Sequence, residues 1–167
     1  VGMAEPRSDI FTPVRNILTL TPFDLQLNVG ILFLYLVAFY ACLAMMGISP
    51  LLSLLGAVAF GLGSYNIIII EAGHITKAYA ISMMAPILVG MLLTLRKKYL
   101  LGGILFSFAL GLQIAFNHIQ ITYYTAIAGV VLGITYAVYA IKDKWIKQFL
   151  TAVGVLLLGC AMALIIN

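Results

Sequence analysis

LNVGILFLYLVAFYACLAMM, residues 27–46, is a run of twenty residues without one acidic or basic side chain. At about 1.5 Å of rise per helical residue it reaches ~30 Å, the thickness of a bilayer's hydrocarbon core. Five comparable stretches follow, at 51–70, 78–95, 100–116, 119–141 and 146–166. Uninterrupted apolarity over these lengths is incompatible with the strands of a membrane barrel, which alternate lipid-facing and lumen-facing residues in shorter segments. The pattern predicts an all-α, polytopic membrane helix bundle of about six transmembrane helices with short connections.

Composition agrees. Hydrophobic residues make up 64% of the chain and charged residues 8%, with a mean hydropathy of +1.17, whereas soluble domains carry roughly 25% charged residues. The net charge of +4 does not signal nucleic acid, because the basic residues sit in short turns with no aromatic-interleaved basic face. Cys42 and Cys160 lie inside apolar runs, without the spacing of a metal or disulfide framework, and read as small packing residues. Residues 1–24 differ in character, with Glu5, Arg7, Asp9, Arg15 and Asp24 among three prolines. They are expected to form an extramembrane segment ahead of a bundle spanning 25–167. With no initiator Met and an apolar run that stops at Asn167, the chain is expected to be part of a longer protein.

The turns set an expected orientation. Arg96-Lys97-Lys98 joins the third and fourth spans, and Lys142-Asp143-Lys144 with Lys147 joins the fifth and sixth. The positive-inside rule puts both in the cytoplasm. Alternation then puts the N-terminal segment and the turns at 71–77 and 117–124 outside. Ser49-Pro50 reads as a helix start, with Pro at a position where its missing N–H costs nothing. Pro86 is expected to kink the third span by denying a hydrogen bond to the Ser82 carbonyl.

Those two outer turns hold most of the chain's candidate chemistry. Glu71, His74 and Lys77 follow one another at spacings of three, with Gly73 between them to bend the backbone. Converging at the mouth of a bundle, they suit a phosphate held by His74 and Lys77, or a divalent metal held by Glu71 and His74; a plain solvated helix end is the competing reading. Gln113, Asn117, Gln120 and Tyr124, spaced four, three and four, form one stripe if helical geometry continues through the turn, with His118 beside it. Gln113, a turn inside an apolar run, must find a protein partner or a wet cavity. Interhelical hydrogen bonding alone would account for it.

At these residues the chain resembles a known family. Ser64-Tyr65, Glu71-Ala72-Gly73-His74 with Thr76-Lys77, Tyr99-Leu100-Leu101-Gly102-Gly103 and Asn117-His118-Ile119-Gln120-Ile121-Thr122-Tyr123-Tyr124, in that order, resemble the YfhO-type family of large bacterial membrane proteins. That family is similar to the C-type glycosyltransferases, which move a sugar from a polyprenyl-phosphate carrier to an acceptor on the outer membrane face. The resemblance covers about Leu27 to Lys147. It implies a bacterial cytoplasmic (inner) membrane location, a polyprenyl-phosphate-linked sugar and membrane lipid as partners together with the rest of a larger protein, and no activity for this part alone. It also implies a carboxylate for acceptor deprotonation or metal positioning. Glu71 is the better candidate and Asp9 the weaker, since the text around Asp9 does not match the family.

Two other functions compete. A transporter or flippase for a lipid-linked or small solute would place polar groups near mid-membrane, often at broken helices, and this chain has no ionisable residue at mid-span. A non-catalytic packing module would use small residues such as Gly61, Gly63, Gly129 and Gly133 for close helix contact.

Overall fold

The computed structural model describes residues 27–167. The expected segment at 1–24, including Asp9, lies outside the described residues. Among those residues there is no strand, and the helices are α1 (Leu27–Met45), α2 (Pro50–Gly61), α3 (Ser64–Glu71), α4 (Ile75–Ser82), α5 (Met84–Leu95), α6 (Tyr99–Ala115), α7 (Ile119–Lys142) and α8 (Ile146–Ile166). The fold is an all-α bundle of apolar helices, as the sequence predicts. Among the described residues four stretches are long and apolar enough to cross a membrane, or five if α2 and α3 count as one bent span. The 17 residues of α6 stand at the short limit for a crossing.

The third span is the centre of the bundle. In its most apolar stretch 78% of residues are buried, against 17%, 11% and 22% for α1, α7 and α8. Its lower half, α5, packs on α1, α6, α7 and α8. Contact with α6 is closest where two glycines meet. A Cβ on Gly90 would lie 2.6 Å from the Phe106 backbone nitrogen, and one on Gly102 would run into Thr94 and the Gly90 carbonyl. Thr94 returns its own hydroxyl to the Gly90 carbonyl at 2.8 Å, so the crossing exposes no unpaired side-chain donor. Membrane helices attract one another through such close packing, because lipid removes the usual hydrophobic drive. Gly61 and Gly129, by contrast, face the ends of side chains, Leu36 and Met91.

Two spans are not continuous helices. The expected single helix over 51–70 is corrected to α2 and α3, bent by 47°. Gly63 takes an extended conformation (φ −55°, ψ 134°), which cuts the helical hydrogen-bond ladder. The Phe60 carbonyl left at the cut accepts from the Gly63 N–H at 3.2 Å and from the Asn66 amide at 2.7 Å. Apolarity is blind to this break, because both halves are equally oily. In the third span, Pro86 cannot donate to the Ser82 carbonyl, and the helix is interrupted at Met83. Ser82 turns its hydroxyl to the Tyr79 carbonyl at 2.6 Å.

Several bends turn on a residue in the left-handed region, where glycine and asparagine are least strained: Gly47, Gly73, Asn117, and also Lys97 and Lys144. Ser49 occupies the N-cap of α2 ahead of Pro50, but its side chain makes no capping bond.

Side-chain contacts fix which turns share an end. The Tyr99 hydroxyl donates to the Gln148 carbonyl at 3.3 Å and Arg96 Nε donates to the Tyr136 hydroxyl at 3.3 Å, which brings the 96–98 and 142–147 turns together. At the opposite end of α6, the Phe116 ring stacks on Tyr79 of α4 at 5.0 Å, which brings the 71–77 and 116–119 turns together. The bundle therefore has a basic end and a histidine end.

Candidate functional site

Gln113 organises the histidine end from below. It is wholly buried, and its Nε2 donates to the Ala80 carbonyl of α4 at 2.9 Å and to Thr125 Oγ1 of α7 at 3.1 Å. Thr125 passes a bond on to the Ile121 carbonyl at 2.8 Å. The Ala80 carbonyl sits at the fracture before Pro86, where its other donor, the Met83 N–H, stands at 3.3 Å. One amide thus ties three helices and satisfies a carbonyl that the broken ladder serves poorly. This is the interhelical role that sequence alone allowed for Gln113. Its Oε1 is buried without a partner.

Above this tie the chain leaves α6. Asn117 adopts a left-handed φ of 53°, so helical geometry does not continue through the turn and the stripe Gln113, Asn117, Gln120, Tyr124 is broken. Asn117, Gln120 and Tyr124 are exposed. The Gln120 amide donates to the Tyr124 hydroxyl at 2.9 Å on the surface of α7. The helical spacing is sound from 120 to 124 and fails at 117.

His118 is the N-cap of α7 and is half-buried. Its pKa is lowered from the ordinary histidine value, first by burial and then by the charges of Lys77 and His74. The two candidate turns, some forty residues apart in sequence, are thus within electrostatic reach of each other. His118 Nε2 is buried and has no hydrogen-bond partner, a situation that costs about 1–3 kcal/mol when nothing compensates it. Beside it, Asn117, His118, Thr122 and Tyr123 line a hollow of about 450 Å³ floored by Ile114 and Ala126, within the size range of small-molecule sites.

The first turn supplies the fixed charge. Lys77 is half-buried in the first helical turns of α4, and its Nζ lies 5.5 Å from the centroid of the Tyr65 ring on α3, a cation–π contact that limits its reach. Glu71 and His74 are exposed on either side of Gly73. Among the described residues no three His, Cys, Asp or Glu side chains gather closely enough to hold a metal, so a divalent metal on Glu71 and His74, one of the two ligands their spacing suits, would have no third such ligand there. Cys42 and Cys160 are free thiols.

What these residues define is a polytopic helical membrane protein with a basic end and, opposite it, an end that bears both histidines. No family model matches the chain, and no curated protein or solved structure is significantly similar to it.

Proposed function

We propose that the histidine end binds the phosphate of a polyprenyl-phosphate-linked sugar, and that the chain is the membrane part of a glycosyltransferase acting on the outer face of a bacterial cytoplasmic membrane. The observation that carries this reading is the hollow at the start of α7, where the buried Nε2 of His118 has no hydrogen-bond partner, at the same end of the bundle as the turn bearing His74 and Lys77. A phosphate needs a fixed positive charge and hydrogen-bond donors. Lys77 provides the first, and the imidazoles of His74 and His118 provide the second on protonation. Glu71, exposed at the rim, is the carboxylate available to take a proton from an acceptor hydroxyl. The lining of Ile114 and Ala126 suits the start of an isoprenoid chain. The resemblance to the YfhO-type text points to the same chemistry, and the basic turns at the other end favour this mouth as the outer one.

Transfer of labelled sugar from a polyprenyl-phosphate donor, measured in membranes containing the complete, longer protein, tests the reading. His74→Ala and Lys77→Ala should each abolish transfer while membrane insertion is unchanged. Full turnover in both variants would end it.

The 47° break between α2 and α3 favours a second reading, a lipid or solute transporter, since broken spans are common at transport sites. Asn66 directs its amide to the Phe60 carbonyl within the break. Solute flux that depends on Asn66 would favour transport over transfer.

A further inference from the structure

A concavity larger than the hollow at His118 lies along the outer surface between α6 and α8. It encloses about 700 Å³ and runs from Tyr99 to Ile166. Small residues make its floor. A Cβ on Gly103 would lie 2.7 Å from Val155, and one on Gly159 would lie 3.0 Å from the Phe106 ring. Ser107 hides its hydroxyl by donating to the Gly159 carbonyl at 3.2 Å. Leu100 and Ile104 on one side and Leu158 and Met162 on the other stand as exposed rims. The result is a dry, narrow channel about as long as α6, roughly 26 Å at 1.5 Å per residue.

Its lower end is chemically distinct from the rest. α6 and α8 start side by side there, joined by the Tyr99 hydroxyl on the Gln148 carbonyl. The residues leading into these helices are Lys97 and Lys98 for α6 and Lys144 for α8, with Lys147 in the first turn of α8, and all four are exposed. An apolar channel that opens onto a cluster of cations matches an amphiphile with a negative head.

We propose that this groove is a binding site for an anionic glycerophospholipid of the leaflet at the basic end, with one acyl chain laid over Gly103 and Ser107 and the phosphate held by Lys98 and Lys147. The acyl chain fills a channel that side chains leave open. The lysines supply the headgroup preference, as basic pockets between membrane helices do for acidic lipids. The site is independent of the histidine end and of any reaction there.

The test is native mass spectrometry of the detergent-solubilised protein, titrated with phosphatidylglycerol and phosphatidylcholine of identical acyl chains. The wild type should retain phosphatidylglycerol in preference. Lys98→Gln combined with Lys147→Gln should lose that preference by about 25-fold, at roughly fivefold per lysine. Leu158→Trp, which fills the channel from an exposed position, should reduce retention of both lipids. Equal retention of the two lipids by the wild type would overturn the proposal. So would a preference that survives the double lysine substitution, or retention unaffected by Leu158→Trp. Helical circular dichroism on each variant separates these outcomes from misfolding.

Discussion

Replacing Gln113 by leucine and by alanine should separate what its hydrogen bonds contribute from what its volume contributes. The amide makes two interhelical bonds, to the Ala80 carbonyl at 2.9 Å and to Thr125 Oγ1 at 3.1 Å. Bonds of this kind within membranes average about 0.6 kcal/mol and reach about 1.7, so their joint loss is worth about 1–3 kcal/mol. Against this stands the buried, unpartnered Oε1, whose removal returns about 1 kcal/mol. Thr125 keeps its own bond to Ile121, whereas Ala80 is left with only the 3.3 Å bond from Met83. Gln113→Leu, which preserves most of the volume, should therefore cost about 1 kcal/mol. Gln113→Ala adds a cavity in a fully buried position and should cost about 3 kcal/mol. Unfolding by sodium dodecyl sulfate in bicelles reads both values. A second readout follows from geometry, because the amide holds α4 against α6 and α7 and so holds Lys77 near His118. Loosening it should let the His118 pKa rise toward the ordinary histidine value, measured by imidazole NMR. A leucine variant as stable as the wild type, with His118 unchanged, would refute the assignment of Gln113 as the tie.

Three further outcomes are expected. Lys77→Gln should raise the His118 pKa only in part, because burial, its largest cause, is untouched; NMR titration of the ring protons checks this. Binding of a phosphate-bearing lipid should tighten as pH falls through the histidine range: burial, then Lys77 and His74, lower the His118 pKa, an arriving anion raises it, and binding therefore takes up a proton, which calorimetry in buffers of different ionisation heat detects. Gly102→Ala should destabilise the bundle by about 1–3 kcal/mol, since its Cβ would collide with Thr94 and the Gly90 carbonyl, while Gly154→Ala, with open space around it, should be neutral in the same unfolding assay.

The fold class was legible because apolar length alone decides it, and the basic turns told correctly which connections lie together. Pro86 told of the fracture in the third span because it acts locally, through a missing N–H. The fracture at Gly63 was harder to read, since a glycine in an apolar run serves packing as often as it ends a helix; Gly61-Leu62-Gly63-Ser64 followed by Asn66 was the available signal. Asn117 explains why the stripe failed, because a helical spacing argument assumes a right-handed backbone at every step and one left-handed residue cancels it. The electrostatic influence of Lys77 on His118 depends on how α4 and α6 pack, a long-range matter that no spacing encodes. Likewise, Gly90 and Gly102 stood out no more in the sequence than Gly129 and Gly133, although only the former pair bring two backbones together.

The interruption at Met83 also divides the third span mechanically. Below it, α5 is locked to α6 by main-chain contact at Gly90 and Gly102, which leaves no slack for sliding. Above it, α4 is joined to its neighbours through side chains, the Gln113 amide and the Tyr79–Phe116 stack foremost among them, and side chains tolerate small rotations that main-chain contact forbids. The two halves of one span are thus held in different ways, the base backbone to backbone and the histidine end through side chains.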